Sequence, residues 1–126
     1  PLAGLSAVLP VSEEVRHSHA SPRAAVGFLL HAAGLEGAKL GPRRSLSMPS
    51  VSVTVGEQIE ALRKVAGEAV VKRIQRQRDE TIARIVAGWP QRIAAERARS
   101  LGFTAERSFE EIIRVHIEDE LAGRIG

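Results

Sequence analysis

The stretch from Val15 to Gly34 reads V-R-H-S-H-A-S-P-R-A-A-V-G-F-L-L-H-A-A-G, and two periodicities meet inside it. Arg16 to His19 reads as an extended strand, with Arg16 and Ser18 on one side and His17 and His19 on the other. Ser21 and Pro22 suit an N-cap and a first helical position, because a serine oxygen accepts from a free backbone N–H and proline has none to leave unpaired. Val26, Leu29, Leu30 and Ala33 then recur at helical spacing, which predicts a helix half buried through those residues, and Gly34 is placed as its left-handed stop. Polar groups are thereby delivered to a point where a strand ends and a helix begins, a frequent place for ligand contacts. The same pattern also fits an edge strand with solvated side chains.

Working outward, Ala7 to Val11 is apolar but broken by Pro10, so it reads as an edge strand or irregular chain. Downstream, Glu36 to Arg44 reads as a Gly- and Pro-containing loop and Ser45 to Met48 as a short strand. Val51, Val53 and Val55 alternate with polar residues, the period of a strand with one buried face. Thr54 and Glu57 form a capping box, which starts a helix with Ile59, Leu62 and Ala66 inward and Gly67 at its end. A second short helix is predicted from Glu68 through Ile74. Another follows Asp79 with Ile82, Ile85 and Val86, closed by Gly88 and Pro90 around Trp89, which is placed as the seal of a core edge. A helix near Ile93 to Leu101 stops at Gly102, and Phe103 turns back into the core. Ser108 and Glu111 make a second capping box, followed by Phe109, Ile112, Ile113, His116 and Ile117 on one apolar face, so His116 is expected to be buried and hydrogen-bonded.

Composition bounds the function. The 126 residues are enough for a single domain, 1–126, and 44% hydrophobic content fits a folded core. Cysteine is absent, which excludes disulfides and thiolate metal sites and fits a reducing, cytoplasmic setting. No apolar run approaches the roughly 18 residues of a membrane span, and Pro1 to Pro10 lacks the pattern of a secretion signal. The chain does not begin with methionine and holds only Met48, which reads as a piece of a longer polypeptide. The net charge is only +3, so the isoelectric point of about 10.2 exaggerates the basicity: no tyrosine or cysteine is present to release protons at high pH. Lys72, Arg73, Arg76 and Arg78 form one basic cluster, but Asp79 and Glu80 follow at once and aromatics are only 3% of the chain. A solvated helix end is expected there, not a nucleic-acid surface. His17, His19, His31 and His116 supply imidazoles, yet no carboxylate or cysteine completes a metal-ligand spacing, so no metal site is assigned.

Arg16, an extended step and an apolar helix containing Ala25 resemble the segment of the extended short-chain dehydrogenase/reductases, the NAD-dependent epimerase/dehydratase family, in which an arginine, an aspartate and an aromatic residue precede a helix. Val51 to Ala66 is similar to the strand and capped helix that follow in that family. Ala98, Leu101, Gly102, Phe103, Ser108, Ile113 and Ile117 stand where its closing pattern places an Arg-rich helix, a Leu-Gly-Phe turn and a Ser-capped helix. The runs L-P-V-S-E-E-V-R-H-S-H-A-S-P-R and I-I-R-V-H-I-E-D-E-L resemble a group within the family that acts on small sugar acids. The sequence departs from the broader pattern at His17, where aspartate is usual, at Ser18, which replaces an aromatic, and at Arg23, which takes a usual acidic position. These departures argue against a nucleotide-sugar substrate.

The resemblance implies an α/β fold: a small mixed, mostly helical C-terminal substrate-binding portion of an extended Rossmann-type dehydrogenase, with a few short strands. It implies a parent oxidoreductase that uses NAD to oxidise a secondary hydroxyl of a small sugar acid. In that family a tyrosine and a lysine four residues later move the proton. This chain has no tyrosine, and Gly34, Gly37 and Gly41 lack the spacing and context of a phosphate-cradling turn. No catalytic or cofactor-binding residue is therefore assigned here; both belong to an N-terminal Rossmann domain expected outside this chain. The resemblance places Arg16 against an anionic part of the substrate, with His17 and His19 reaching hydroxyls or fixing the turn. The isolated chain is expected to bind no NAD and to self-associate through apolar surface that would face the missing domain. A nucleotide-sugar epimerase or dehydratase fragment and a non-catalytic interaction module are the alternatives.

Overall fold

Hydroxyl caps start the three longest helices of the computed structural model, which describes residues 1–126. Ser21 Oγ accepts from Ala24 N at 3.0 Å to begin α1 (Pro22–Gly34). Thr54 Oγ1 accepts from Glu57 N at 3.1 Å, and Glu57 Oε2 accepts from Thr54 N at 2.7 Å, closing the expected box at α3 (Val55–Ala66). Ser108 caps α7 (Phe109–Leu121) in the same way, but the second box is only half formed, since Glu111 Oε2 accepts from Arg107 N. Shorter helices lie between: α2 (Gly37–Leu40) inside the predicted loop, α4 (Glu68–Val71), α5 (Glu80–Ala87) and α6 (Glu96–Ser100).

Four short strands form two separate ribbons instead of one sheet. β2 (Arg16–His19) pairs antiparallel with β3 (Val51–Thr54), setting Arg16 opposite Thr54, His17 opposite Val53 and Ser18 opposite Ser52. β1 (Ala7–Leu9) pairs parallel with β4 (Ile74–Arg76). The expected helix through Ile74 thus ends early. Glu68 to Ile74 is too short for periodicity to separate helix from strand, and pairing with β1 decides its last residue. The strand expected at Ser45 to Met48 is absent; that segment runs irregularly and contributes Leu46 and Met48 to packing.

Two small apolar clusters hold these elements. Ala61, Ile113 and Ile117 join α3 to α7, supported at the surface by the Lys64–Glu110 pair at 3.4 Å. Ala95, Ala98 and Phe103 form the second, with Phe28, Leu35 and Leu101 against it. Phe103 does return to the core, 2% exposed. The turn before it depends on Gly102, whose φ is +88° and whose added Cβ would lie 3.1 Å from the His31 ring. Gly102→Ala should therefore cost about 1–2 kcal/mol from backbone conformation alone, before any displacement of His31. A denaturant midpoint equal to wild type would show that the turn relaxes freely.

Helix α1 faces differently from expectation. Val26, Leu29 and Leu30 are 54%, 73% and 71% exposed, while Ala24 and Phe28 turn inward. Both stripes have helical spacing, and contact between Phe28 and Phe103, ring centroids 6.4 Å apart, selects the second. Gly34 is not left-handed; the helix runs through it and ends at Leu35 in extended geometry. His116 is exposed on α7, and Trp89 is 54% exposed and seals no core. His116 sits at the margin of an apolar stripe, where spacing alone does not separate inside from outside, and Trp89 lies in the bend after α5, where no periodicity applies.

Candidate functional site

Strand β2 presents the predicted residues on two faces. On one, Arg16 Nη1 donates to Ser52 O at 2.9 Å, and Nη2 lies 3.2 Å from Glu57 Oε2 and 3.4 Å from its Oε1. The Thr54 backbone N–H, and after it the Arg16 charge, hold the Glu57 carboxyl below its ordinary range. Ser18 and Ser52 both donate to Gln91 O, at 3.4 and 2.7 Å, which draws the loop after α5 onto the ribbon.

The other face is aromatic. The His17 and His19 rings lie 6.1 Å apart, His17 beside Trp89 at 5.2 Å and His19 edge-on to Phe109 at 5.3 Å. Gln58 Nε2 donates to His19 Nε2 at 3.1 Å, which places the His19 proton on Nδ1. His17 Nε2 is buried without a hydrogen-bond partner. The structure thus brings the two histidines together and turns Arg16 away from them.

Burial, then the neighbouring His17, lowers the pKa of His19 below its ordinary 6.5. The sign follows from linkage: the unfolded chain takes up the proton first, so stability is complete above the ordinary value and falls as pH drops through it toward the folded value. His19→Gln should flatten that dependence between pH 7.5 and the acid side, read by thermal unfolding at each pH. An unchanged slope would mean that His19 titrates as freely folded as unfolded.

A cavity of about 470 Å³ opens between the β1–β4 ribbon, α3 and α7, lined by Val8, Leu9, Ile59, Leu62, Ile74 and Ile112, with Gln58 and His116 among its polar groups. Its apolar lining does not suit a polyhydroxy acid, and Arg16 is not part of it. His31 lies elsewhere, Nε2 donating to Leu101 O at 2.7 Å, and no three metal-ligating side chains cluster. The basic cluster starts at the end of α4, where exposed Lys72 is the C-cap, and runs along β4 to the residue before the Asp79 cap of α5: Arg73 bonds Pro1 O and Gly126 O, Arg76 bonds Glu13 and Arg78 bonds Glu80. Arg23 ties α1 to Glu118 and Asp119 of α7. No helix is long and apolar enough to cross a membrane.

The residues present do not fit dinucleotide phosphates. A helix N-terminus after a strand is where such a phosphate binds, and at each such junction of this chain an acidic side chain already takes that position. Glu106 accepts from Ser21 N and Ser21 Oγ before α1, Glu57 accepts from Thr54 N before α3, and Asp79 accepts from Thr81 N and Ile82 N at α5.

Sequence reasoning missed Gln58, Gln91 and the second role of Glu57. Spacing revealed Glu57 as a cap, but its other partner lies 41 residues away and no local signal joins them.

No family model matches the chain. It is 45% identical over 119 residues to a D-erythronate dehydrogenase of Cupriavidus necator and 39% identical over 121 residues to one of Haemophilus influenzae, covering 94% and 96% of this chain. It spans 37% and 38% of the length of those relatives. A crystal structure described as a nucleoside-diphosphate-sugar epimerase from Agrobacterium tumefaciens superposes with a TM-score of 0.96 at 63% identity, over 99% of this chain and 36% of that one. An L-threonine dehydrogenase from Clostridium difficile shares the fold at a TM-score of 0.78 and 15% identity, over 99% of this chain and 39% of that one. Over nearly its whole length the chain is thus similar to part of two D-erythronate dehydrogenases and of a protein described as a nucleoside-diphosphate-sugar epimerase, and it resembles the corresponding portion of the extended short-chain dehydrogenase/reductases.

Proposed function

We propose that this chain is the C-terminal, substrate-binding portion of an NAD-dependent dehydrogenase that oxidises a secondary hydroxyl of a small sugar acid such as D-erythronate. The observation that carries this reading is the 45% and 39% identity to two D-erythronate dehydrogenases over nearly the whole chain. NAD and the proton-transferring tyrosine and lysine belong to a Rossmann domain outside it, which agrees with the acid-filled helix starts described above. That domain covers the exposed Val26, Leu29 and Leu30 face of α1, since so much apolar surface on one helix marks an interface. The parent enzyme is placed in the cytoplasm, consistent with a chain free of cysteine.

In this reading Arg16 binds the substrate carboxylate. A guanidinium offers five N–H groups in a fixed fork, and the contacts to Ser52 O and Glu57 leave donors available on a side chain 23% exposed. His17 and His19 orient the strand-to-helix turn or contact hydroxyls from its other face.

The epimerase description of the Agrobacterium tumefaciens structure favours a second reading, action on a nucleoside-diphosphate sugar. Ser18 argues against it, because a base or sugar ring gains most from an aromatic platform and serine supplies none. The polypeptide containing this chain should form NADH from NAD on addition of D-erythronate. Epimerisation of nucleoside-diphosphate sugars with no net NADH would establish the second reading instead.

A further inference from the structure

We infer that Glu57 is a specificity-determining residue: its fixed negative charge beside Arg16 admits a singly charged carboxylate and disfavours doubly charged phosphoryl groups. This rests on the reading of Arg16 as the carboxylate partner. Glu57 cannot swing aside without loss, because its Oε2 accepts from Thr54 N at 2.7 Å and thereby closes the capping box of α3. The same bond, and after it the Arg16 charge, holds its carboxyl below the ordinary carboxylate range. Its distances to Arg16, 3.2 and 3.4 Å, exceed the roughly 2.7–2.9 Å of a strong charge-assisted bond. Glu57 therefore offsets the arginine's charge while engaging one amino group in a long bond only, which leaves other donors of the fork available. The Glu57 side chain is 53% exposed, so solvent screens it and its effect on a ligand is modest per charge.

An arriving anion meets the attraction of Arg16 together with the repulsion of Glu57. That repulsion grows with ligand charge, so removing Glu57 benefits a dianion by the square of the factor it gives a monoanion. For a separation of about 6 Å in water-like dielectric that factor is about threefold per charge. The site thereby discriminates by charge count, a property the arginine alone would not confer.

The test uses the full-length polypeptide, with inorganic phosphate at pH 8 as a competitive inhibitor against D-erythronate at saturating NAD. Glu57→Gln keeps an amide oxygen to accept from Thr54 N and removes the charge. The expected result is a KM for D-erythronate lowered about threefold and phosphate inhibition strengthened about tenfold. Glu57→Ala removes the charge and the cap together and should give the same two ratios, so the result does not depend on one variant folding. Unchanged phosphate inhibition in both variants, or equal shifts for phosphate and D-erythronate, overturns the role of Glu57. If Arg16→Lys leaves kcat/KM intact, the carboxylate reading fails and this inference falls with it. If Arg16→Lys is impaired and phosphate inhibition does not respond to Glu57, only the role of Glu57 falls.

Discussion

Phe103→Ala is expected to lower the unfolding free energy by about 3–5 kcal/mol, the range for removing a buried aromatic ring. Phe103 is 2% exposed and is the largest member of its cluster, with Ala95 and Ala98 beneath it and Phe28, Leu35, Leu46, Met48 and Leu101 around it. The alanines cannot grow to fill the space, so a cavity remains and its cost adds to the lost transfer energy. The His31 ring, 4.5 Å away and edge-on, would lose its aromatic partner as well. Contacts to Phe103 reach α1, α6 and the irregular segment through Met48, so its removal loosens elements distant in sequence. The check is a urea titration, with a lower midpoint at an unchanged slope. A loss below about 1 kcal/mol would mean that Phe28 or Met48 repacks into the site and that the turn is not its anchor.

On the proposed reading, Arg16→Lys in the full-length polypeptide is expected to reduce kcat/KM for D-erythronate by an amount equivalent to about 1.5–3 kcal/mol, the worth of one charge-assisted hydrogen bond. Lysine keeps the charge and loses the planar fork. Arginine can bond Ser52 O with one amino group and still direct others outward, whereas a single ammonium must choose. The affinity for NAD should barely move, because the phosphate-binding position of every strand-to-helix junction here is already taken by an acid. If kcat/KM is unchanged while the protein remains folded, Arg16 is only a staple between β2 and the start of α3. The substrate face would then have to be sought elsewhere.

Local chemistry fixed much of this architecture in advance. A hydroxyl three residues before its backbone partner defines the starts of α1, α3 and α7, and Gly67 and Gly102 define turns that L-residues adopt only with strain, φ being +85° and +88°. Alternation in β2 likewise separated Arg16 and Ser18 from His17 and His19, because a strand has only two sides. The same residues carried the family resemblance. What the chain could not specify locally was which of two similar surfaces would be covered. Helix α1 carries two stripes of suitable spacing, and only the position of Phe103, far along the chain, turns Phe28 inward and leaves Leu29 and Leu30 outside. The pairing of Ile74 with Ala7 is of the same kind: a short apolar run is compatible with helix or strand, and the partner's unpaired backbone decides. Glu57 shows the point at the candidate site itself. Its capping role follows from a spacing of three residues, but its contact with Arg16 exists only because β2 and β3 pair in a register that sets Arg16 opposite Thr54. That long-range register, absent from any local pattern, is what places a carboxylate beside the arginine.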